Sequence, residues 1–179
     1  MSASSTPEWA RGVCQGLAAA DCRDVVYVPD NPLSHILRAL AEAHSEIRAT
    51  LATREEEAFG IAAGLYLGGA RAAVMLQSSG LGNSLNAIGS LLLPYEIPVL
   101  MIVSMRGEEG EWNAAQRPMG RAVRPILDAF DLPHVVVQDA RSARDVVRQA
   151  GDRAFVSRRP VACLLPRSLT NASTGGGVE

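Results

Sequence analysis

The sequence predicts a three-layer, doubly wound α/β fold on about six parallel strands. Three observations carry this. Short β-branched or apolar runs alternate with longer segments of helical spacing along the whole chain. Those runs are apolar at successive positions, as strands buried on both faces require. The stretches between them are long enough for helical crossovers, which parallel pairing needs.

The elements run in order. "WARGVCQGLAAA" reads as an Ala-rich helix, and "DVVYVP" as a buried strand ending at a proline. "PLSHILRALAEA" has apolar residues at helical spacing, with Pro32 suited to a first turn. "EIRATLA" is a short strand, and the helix opened by "TREEEAFGIAAG" runs to about Gly69. "AAVMLQ" is a strand, "SLNAIGSLLL" a helix, and "IPVLMIVSM" the clearest buried strand. "GRAVRPILDAF" reads as a helix with Pro125 early in it; "HVVVQ" is a strand, "ARSARDVVRQAGDRAFVS" a helix and "PVACLLP" the last strand. Residues 7–168 form one expected domain, with disordered tails over 1–6 and 169–179.

Composition removes several classes of function. The chain has 179 residues, a net charge of -2 and 4% aromatics, which disfavours nucleic-acid binding by bulk charge or base stacking. The longest apolar run, "IPVLMIV", is too short to span a bilayer. The N-terminus lacks a basic region followed by an apolar one. Cys14, Cys22 and Cys163 show no metal spacing, and an odd count fits a reducing cytoplasm. No metal site is expected within the chain.

In doubly wound sheets, ligands bind at the carboxyl ends of strands. That rule selects four loops: "PDNPLS", "TREEE", "QSSGLGN" and "MRGEEGEWNAAQRPMGR". In the second, three consecutive carboxylates face different ways. At about 100° per residue, Ala62 and Tyr66 lie within roughly 20° of Glu55, and Phe59 within about 40°. Glu55 therefore sits in the middle of the apolar face, where a carboxylate must be paired, protonated or functional. Thr53 and Glu56 have the spacing of a capping box. Glu57 falls beside Gly60, Gly64 and Gly68, on a polar flank or a helix-packing ridge.

The third loop joins a strand to a helix through Gly80 and Gly82, which permit positive φ and close approach of a ligand. Asn83 or Ser84 is placed to cap the next helix. The loop lacks the lysine of a Walker A motif and the third glycine of a dinucleotide fingerprint. An anion site and a plain tight turn both fit it.

Together, "TREEEAFGIAAGLYL", "QSSGLGNSLNAIGSLLLPYEIPVLMIVSMRG" and "AAQRPMGR" resemble the pyrimidine-binding (PYR) domain of thiamin-diphosphate-dependent decarboxylases. The likeness spans about residues 10–166. It is strongest to sulfopyruvate decarboxylase alpha subunits and the N-terminal part of phosphonopyruvate decarboxylases. It implies that Glu55 hydrogen-bonds the aminopyrimidine at N1′ and relays a proton. The cofactor then attacks a 2-oxo acid, and carbon dioxide and an aldehyde leave. Pro29, Asp30, Ser78, Ser79, Gly80, Leu81, Gly82 and Asn83 are the other implied cofactor-binding residues.

The diphosphate- and magnesium-binding (PP) domain of that family carries a GDG motif with a downstream asparagine. Here the only "GD" is at Gly151, inside a helix, without that sequel. The resemblance therefore implies a separate PP-domain beta subunit holding the diphosphate and Mg2+, in an α2β2 or larger assembly. The histidine pair common in related decarboxylases is absent from the fourth loop. His44 reads as a surface residue and His134 as structural; His35 lies just after the first loop. Asn31, Gln116, Arg117 and Arg121, with Arg106 beside them, are the substrate candidates. Guanidinium groups suit a second anion such as sulfonate or phosphonate. Glu108, Glu109 and Glu111 are expected to face water or the partner, and Trp112 to anchor an interface. Alternatives are a thiamin-dependent carboligase or decarboxylase of another 2-oxo acid, a subunit that has lost activity, and a flavodoxin-like binding module.

Overall fold

A computed structural model describes residues 6–171. Its centre is a six-stranded sheet, parallel throughout, in the order β2-β1-β3-β4-β6-β5. The strands are β1 (Asp24–Tyr27), β2 (Arg48–Leu51), β3 (Ala72–Gln77), β4 (Leu100–Ser104), β5 (His134–Val136) and β6 (Val161–Leu165). The helices are α1 (Glu8–Ala19), α2 (Asn31–Ala43), α3 (Glu55–Leu67), α4 (Ser78–Asn83), α5 (Leu85–Ala87), α6 (Arg117–Ala129), α7 (Ala143–Ser157) and α8 (Arg167–Asn171).

The two faces of the sheet follow from strand periodicity. Val25, Met75, Ile102 and Cys163 point to one side, where Leu17, Ile36 and Val147 of α1, α2 and α7 cover them. Val26, Val74, Val103 and Leu164 point to the other, against Phe59, Leu81, Val123 and Leu127. Both layers are buried, so β3, β4 and β6 read as unbroken apolar runs. The edge strand β2 is exposed at every residue. Its Arg48 grips the buried Asp24 with two bonds, at 2.9 and 3.0 Å.

From β1 the chain first steps outward to β2, then returns past β1 to β3. The switch point therefore lies between β1 and β3, which places Asp30 and Ser78 at the crevice where such sheets bind ligands. The side chains at this end do bridge it, since Gln77 Nε2 donates to Asp30 Oδ1 at 3.2 Å.

Four expectations need correction. "QSSGLGN" is not an open loop: Ser78–Asn83 is helical, and neither Gly80 nor Gly82 has positive φ. Among the described residues, the glycines at positive φ are Gly69, Gly107 and Gly110. The helix expected over "SLNAIGSLLL" is interrupted at Ser84, restarts at Leu85 and widens to π geometry over Ile88–Leu92. There Gly89 leaves room for Phe130, whose ring would stand 2.8 Å from an added Cβ. Pro125 is the ninth residue of α6, and Pro118 occupies its first turn. Pro125 is tolerated on the exposed face, at the loss of one helical bond.

The ordered chain also extends past both expected ends. Thr6 is buried and donates to Glu42 Oε2 at 2.8 Å. Leu169 and Thr170 of α8 are buried too, with Leu169 packed in the α1–α2–α7 layer. The remaining tail residues, 1–5 and 172–179, lie outside the described residues. No helix of the described residues is long and apolar enough to cross a membrane. Gly151 lies within α7, where an added Cβ would be 2.6 Å from Ala20 Cβ, so its "GD" belongs to helix packing.

Candidate cofactor and substrate site

Glu55 is the first residue of α3, half-buried at the carboxyl end of the sheet. Its neighbours Ala58, Phe59 and Ala62 are buried, as the helical phase requires. Across from it lies α4. A Cβ added to Gly80 would sit 2.4 Å from Glu55 Cγ and 2.5 Å from Oε1. Gly80 therefore supplies space for the glutamate, not an unusual backbone angle. Asn83 Nδ2 donates to Glu55 Oε2 at 3.3 Å. Gly82 is small for a parallel reason, as an added Cβ would meet Met119 Cε at 2.5 Å.

The other two acids take different partners from those expected. The N-cap of α3 is Arg54, so the third helical position is Glu57, not Glu56. Glu57 Oε2 accepts the backbone N–H of Thr53, the residue before the cap, at 2.6 Å. Glu56 pairs with Arg54 at 2.7 Å. The expected Thr53–Glu56 box is thus replaced, because Arg54 remains extended.

At the same end of the sheet, the ends of β1, β3 and β4 converge on Asp30. Its carboxylate accepts Ser104 Oγ at 2.6 Å and Gln77 Nε2 at 3.2 Å. Ser79 Oγ in turn donates to Gln77 Oε1 at 3.1 Å. Arg106 lies 3.6 Å from Asp30 and binds Glu111 through Nε at 2.9 Å and a second nitrogen at 3.3 Å. Ser78, buried, accepts the Arg106 backbone N–H at 3.3 Å.

Glu111 overturns the expectation for its loop. It is 3% exposed, and its carboxylate is surrounded by donors. Besides Arg106, these are the backbone N–H groups of Gly107 and Asn113, at 3.3 and 3.1 Å, and Arg167 at 3.2 Å. Its own carbonyl accepts Arg117 at 3.1 and 2.8 Å. Glu108 takes the Arg167 backbone N–H at 2.8 Å and lies 3.6 Å from Arg124. Only Glu109 is exposed, as expected of all three.

The Arg106 guanidinium and the two backbone N–H groups hold the Glu111 carboxyl down to about 2, against burial, which raises it. Its folded value lies below that of an unfolded glutamate, ~4.3. The stabilisation from this group is therefore complete above that pH and is lost as pH falls toward about 2. Glu111→Gln should lower the melting temperature at neutral pH, and its difference from wild type should shrink across that acid window. Thermal melts of both chains from about pH 6 downward, in steps of roughly half a unit, measure this. A constant difference would contradict it.

A family model described as "Thiamine pyrophosphate enzyme, N-terminal TPP binding domain" matches residues 8–119, more than half the chain. The chain belongs to the thiamine pyrophosphate enzyme family. It is 40% identical over 153 residues to "Sulfopyruvate decarboxylase subunit alpha" of Methanothermobacter thermautotrophicus, covering 86% of this chain and 92% of that one. The protein of the same description in Methanocaldococcus jannaschii is 41% identical, with 76% and 80% covered. "Phosphonopyruvate decarboxylase" of Streptomyces viridochromogenes is 31% identical, but the match covers 86% of this chain and only 39% of that one. Among solved structures, 2-oxoglutarate:ferredoxin oxidoreductase from Magnetococcus marinus superposes with a TM-score of 0.73 at 16% identity. The match covers 90% of this chain and 29% of that chain, a likeness of fold. The relatives named "subunit alpha" imply a partner subunit.

The residues present fit the pyrimidine end of that family's cofactor. Among the described residues Glu55 has one side-chain donor, Asn83, so its carboxylate retains acceptor capacity at the rim. Ser78, Ser79, Gly80, Leu81, Gly82 and Asn83 line up as α4 beside it. Asp30 is instead occupied by Gln77, Ser104 and Arg106, and Pro29 is exposed ahead of it. No cluster of three or more metal-ligating side chains occurs among the described residues.

The substrate candidates divide. Asn31, exposed at the start of α2, borders a cavity of about 250 Å³ together with Arg106 and Arg167. Gln116 closes a short 3-10 turn and carries no side-chain hydrogen bond among the described residues. Arg121 is exposed and likewise unpaired among them. The Arg117 guanidinium is already bound to the Glu111 carbonyl. His35 does not join the site: it packs edge-on against Trp9 at 6.0 Å. His44 bonds Glu46 at 3.1 Å, and His134 the Leu132 carbonyl at 3.2 Å.

Sequence reasoning overlooks Gln77, Ser104, Met119 and Arg167. The first two carry a signal, each being a polar residue at the carboxyl end of an otherwise apolar strand.

Proposed function

We propose that this chain is the alpha subunit of a two-subunit thiamin-diphosphate-dependent 2-oxo acid decarboxylase. The substrate is sulfopyruvate, with phosphonopyruvate as the nearest chemical alternative, and the products are an aldehyde and carbon dioxide. The observation that carries the reading is Glu55, seated over Gly80 beside Asn83 at the open end of the sheet. The likeness to alpha subunits of similar length supports the division into two chains.

When bound, thiamin diphosphate supplies the electron sink for loss of carbon dioxide. Glu55 accepts or gives the proton at the pyrimidine ring nitrogen. Asn83 orients the Glu55 carboxylate, and Gly80 provides the room. From α4, Ser79 and Gly82 would line the ring, with Ser78 and Leu81 buried behind them, and Pro29 and Asp30 would line it from β1. Gln116 and Arg121, whose polar groups are uncommitted, meet the substrate's acidic groups. Asn31 adds a polar contact, and Arg117 braces the loop. A PP-domain beta subunit holds the diphosphate and Mg2+ in an α2β2 or larger cytoplasmic assembly.

Two measurements test this. Tight thiamin diphosphate binding should appear in calorimetry only when both subunits are present. The assembled pair should release carbon dioxide from sulfopyruvate or phosphonopyruvate within a panel of 2-oxo acids. Tight binding by this chain alone would overturn the division of labour. Turnover of another 2-oxo acid, or carbon–carbon ligation without aldehyde release, would reassign the substrate or the outcome.

A further inference from the structure

Trp112 is 81% exposed, yet the residue before it, Glu111, is 3% exposed. The chain on both sides of this indole is fixed. The Glu111 carboxylate holds Arg106, Arg167 and two backbone N–H groups, and its carbonyl holds Arg117. Asn113 gives its own N–H to Glu111 and accepts the Ala115 N–H at 3.1 Å on its side chain. A large apolar side chain thus stands in water on a backbone that is braced from within.

Such bracing is a poor way to gain stability. Buried ion pairs contribute little over apolar packing, and their better attested use is to fix a geometry. The geometry fixed here presents an indole at the rim of the cavity bordered by Asn31, Arg106 and Arg167. That rim is the same end of the sheet at which Glu55 and Asp30 lie. A tryptophan ordered before binding loses little entropy on docking, and buried tryptophans are frequent anchors of protein interfaces.

We infer that Trp112 is an anchor for the second subunit of the enzyme, presented in the free chain by the Glu111 ion cluster. Two facts identify the occupant. Relatives matched over most of their length are named as one subunit of an enzyme. The indole borders a cavity at the carboxyl end of the sheet, the end that also carries Asp30 and Glu55. The inference rests on the two-subunit reading of the function.

The test uses full-length alpha chain and its beta partner, with the dissociation constant measured by calorimetry or sedimentation. Trp112→Ala should weaken association by roughly thirtyfold or more, while Trp112→Phe stays within a few fold. The alanine variant should keep its melting temperature as an isolated chain. Glu111→Gln, with the indole intact, should also weaken association, through loss of bracing. An unchanged dissociation constant for Trp112→Ala overturns the inference. So does native association with lost turnover, which would place the indole at the substrate. Wild-type association in Glu111→Gln overturns the bracing. If wild-type subunits associate but decarboxylate nothing, the enzymatic reading fails and the docking result stands by itself.

Discussion

Replacing Glu55 by glutamine is expected to lower turnover of the assembled enzyme by roughly 10²–10⁴-fold, the range for loss of a positioned proton-transfer group. The fold should hardly notice. Glu55 is half-buried, and its one side-chain partner among the described residues is Asn83 at 3.3 Å, which a glutamine carbonyl also accepts. The melting temperature of the isolated chain should therefore move little, within about ±0.5 kcal/mol in stability. The neighbouring acid gives the opposite pattern. Glu57→Gln weakens the bond to the Thr53 N–H, at 2.6 Å, that closes the start of α3. It should lower stability by about 1 kcal/mol and leave turnover of the saturated complex close to wild type. Measuring both quantities for both variants separates proton relay from helix capping. Full turnover in Glu55→Gln would sink the relay.

The helical phase of "TREEEAFG" is enough to place Glu55 on the inward side of α3, where Ala58, Phe59 and Ala62 are buried. The sheet is legible for a similar reason. Strands covered on both faces have apolar residues throughout, and only β2, bare on both sides, is supported by length and position alone. The cap lies one residue from where its motif puts it because Arg54 is extended, and no composition rule marks that. Glycine is the least legible residue. Gly80 and Gly82 look like positive-φ turn residues in sequence, yet each is small to admit a side chain, from Glu55 or from Met119. A sequence shows that a Cβ is missing but not whether backbone angle or space requires it. Glu111 is hidden for another reason. One of its partners, Arg167, lies 56 residues away, and burial of a loop carboxylate depends on that distant guanidinium.

The glycines of "PMGR" and "AAGLYL" turn that ambiguity into an expected result. Gly120 lies in α6 where the helix crosses the strand-end segment after β4. A Cβ there would be 1.8 Å from the Arg106 carbonyl oxygen and 2.4 Å from its carbonyl carbon. Both are backbone atoms, so no side-chain rotation relieves the overlap. The same segment carries Arg106 toward Glu111 and Asp30, and moving it would break the ion cluster. Gly120→Ala should therefore destabilise the chain by about 3 kcal/mol, the upper part of the range for overpacking. That lowers the melting temperature by roughly 10 °C for a chain of this size. Gly64 has the opposite environment. It sits inside α3 with nothing among the described residues within 4 Å of an added Cβ, so helix propensity decides the effect. Gly64→Ala should stabilise the isolated chain by up to ~1 kcal/mol. Thermal melts of the two isolated variants read both effects. One substitution type with opposite signs at two helical glycines would show that Gly120 is required by contact rather than by conformation. Equal signs would mean that the α6 crossing relaxes to admit the methyl group.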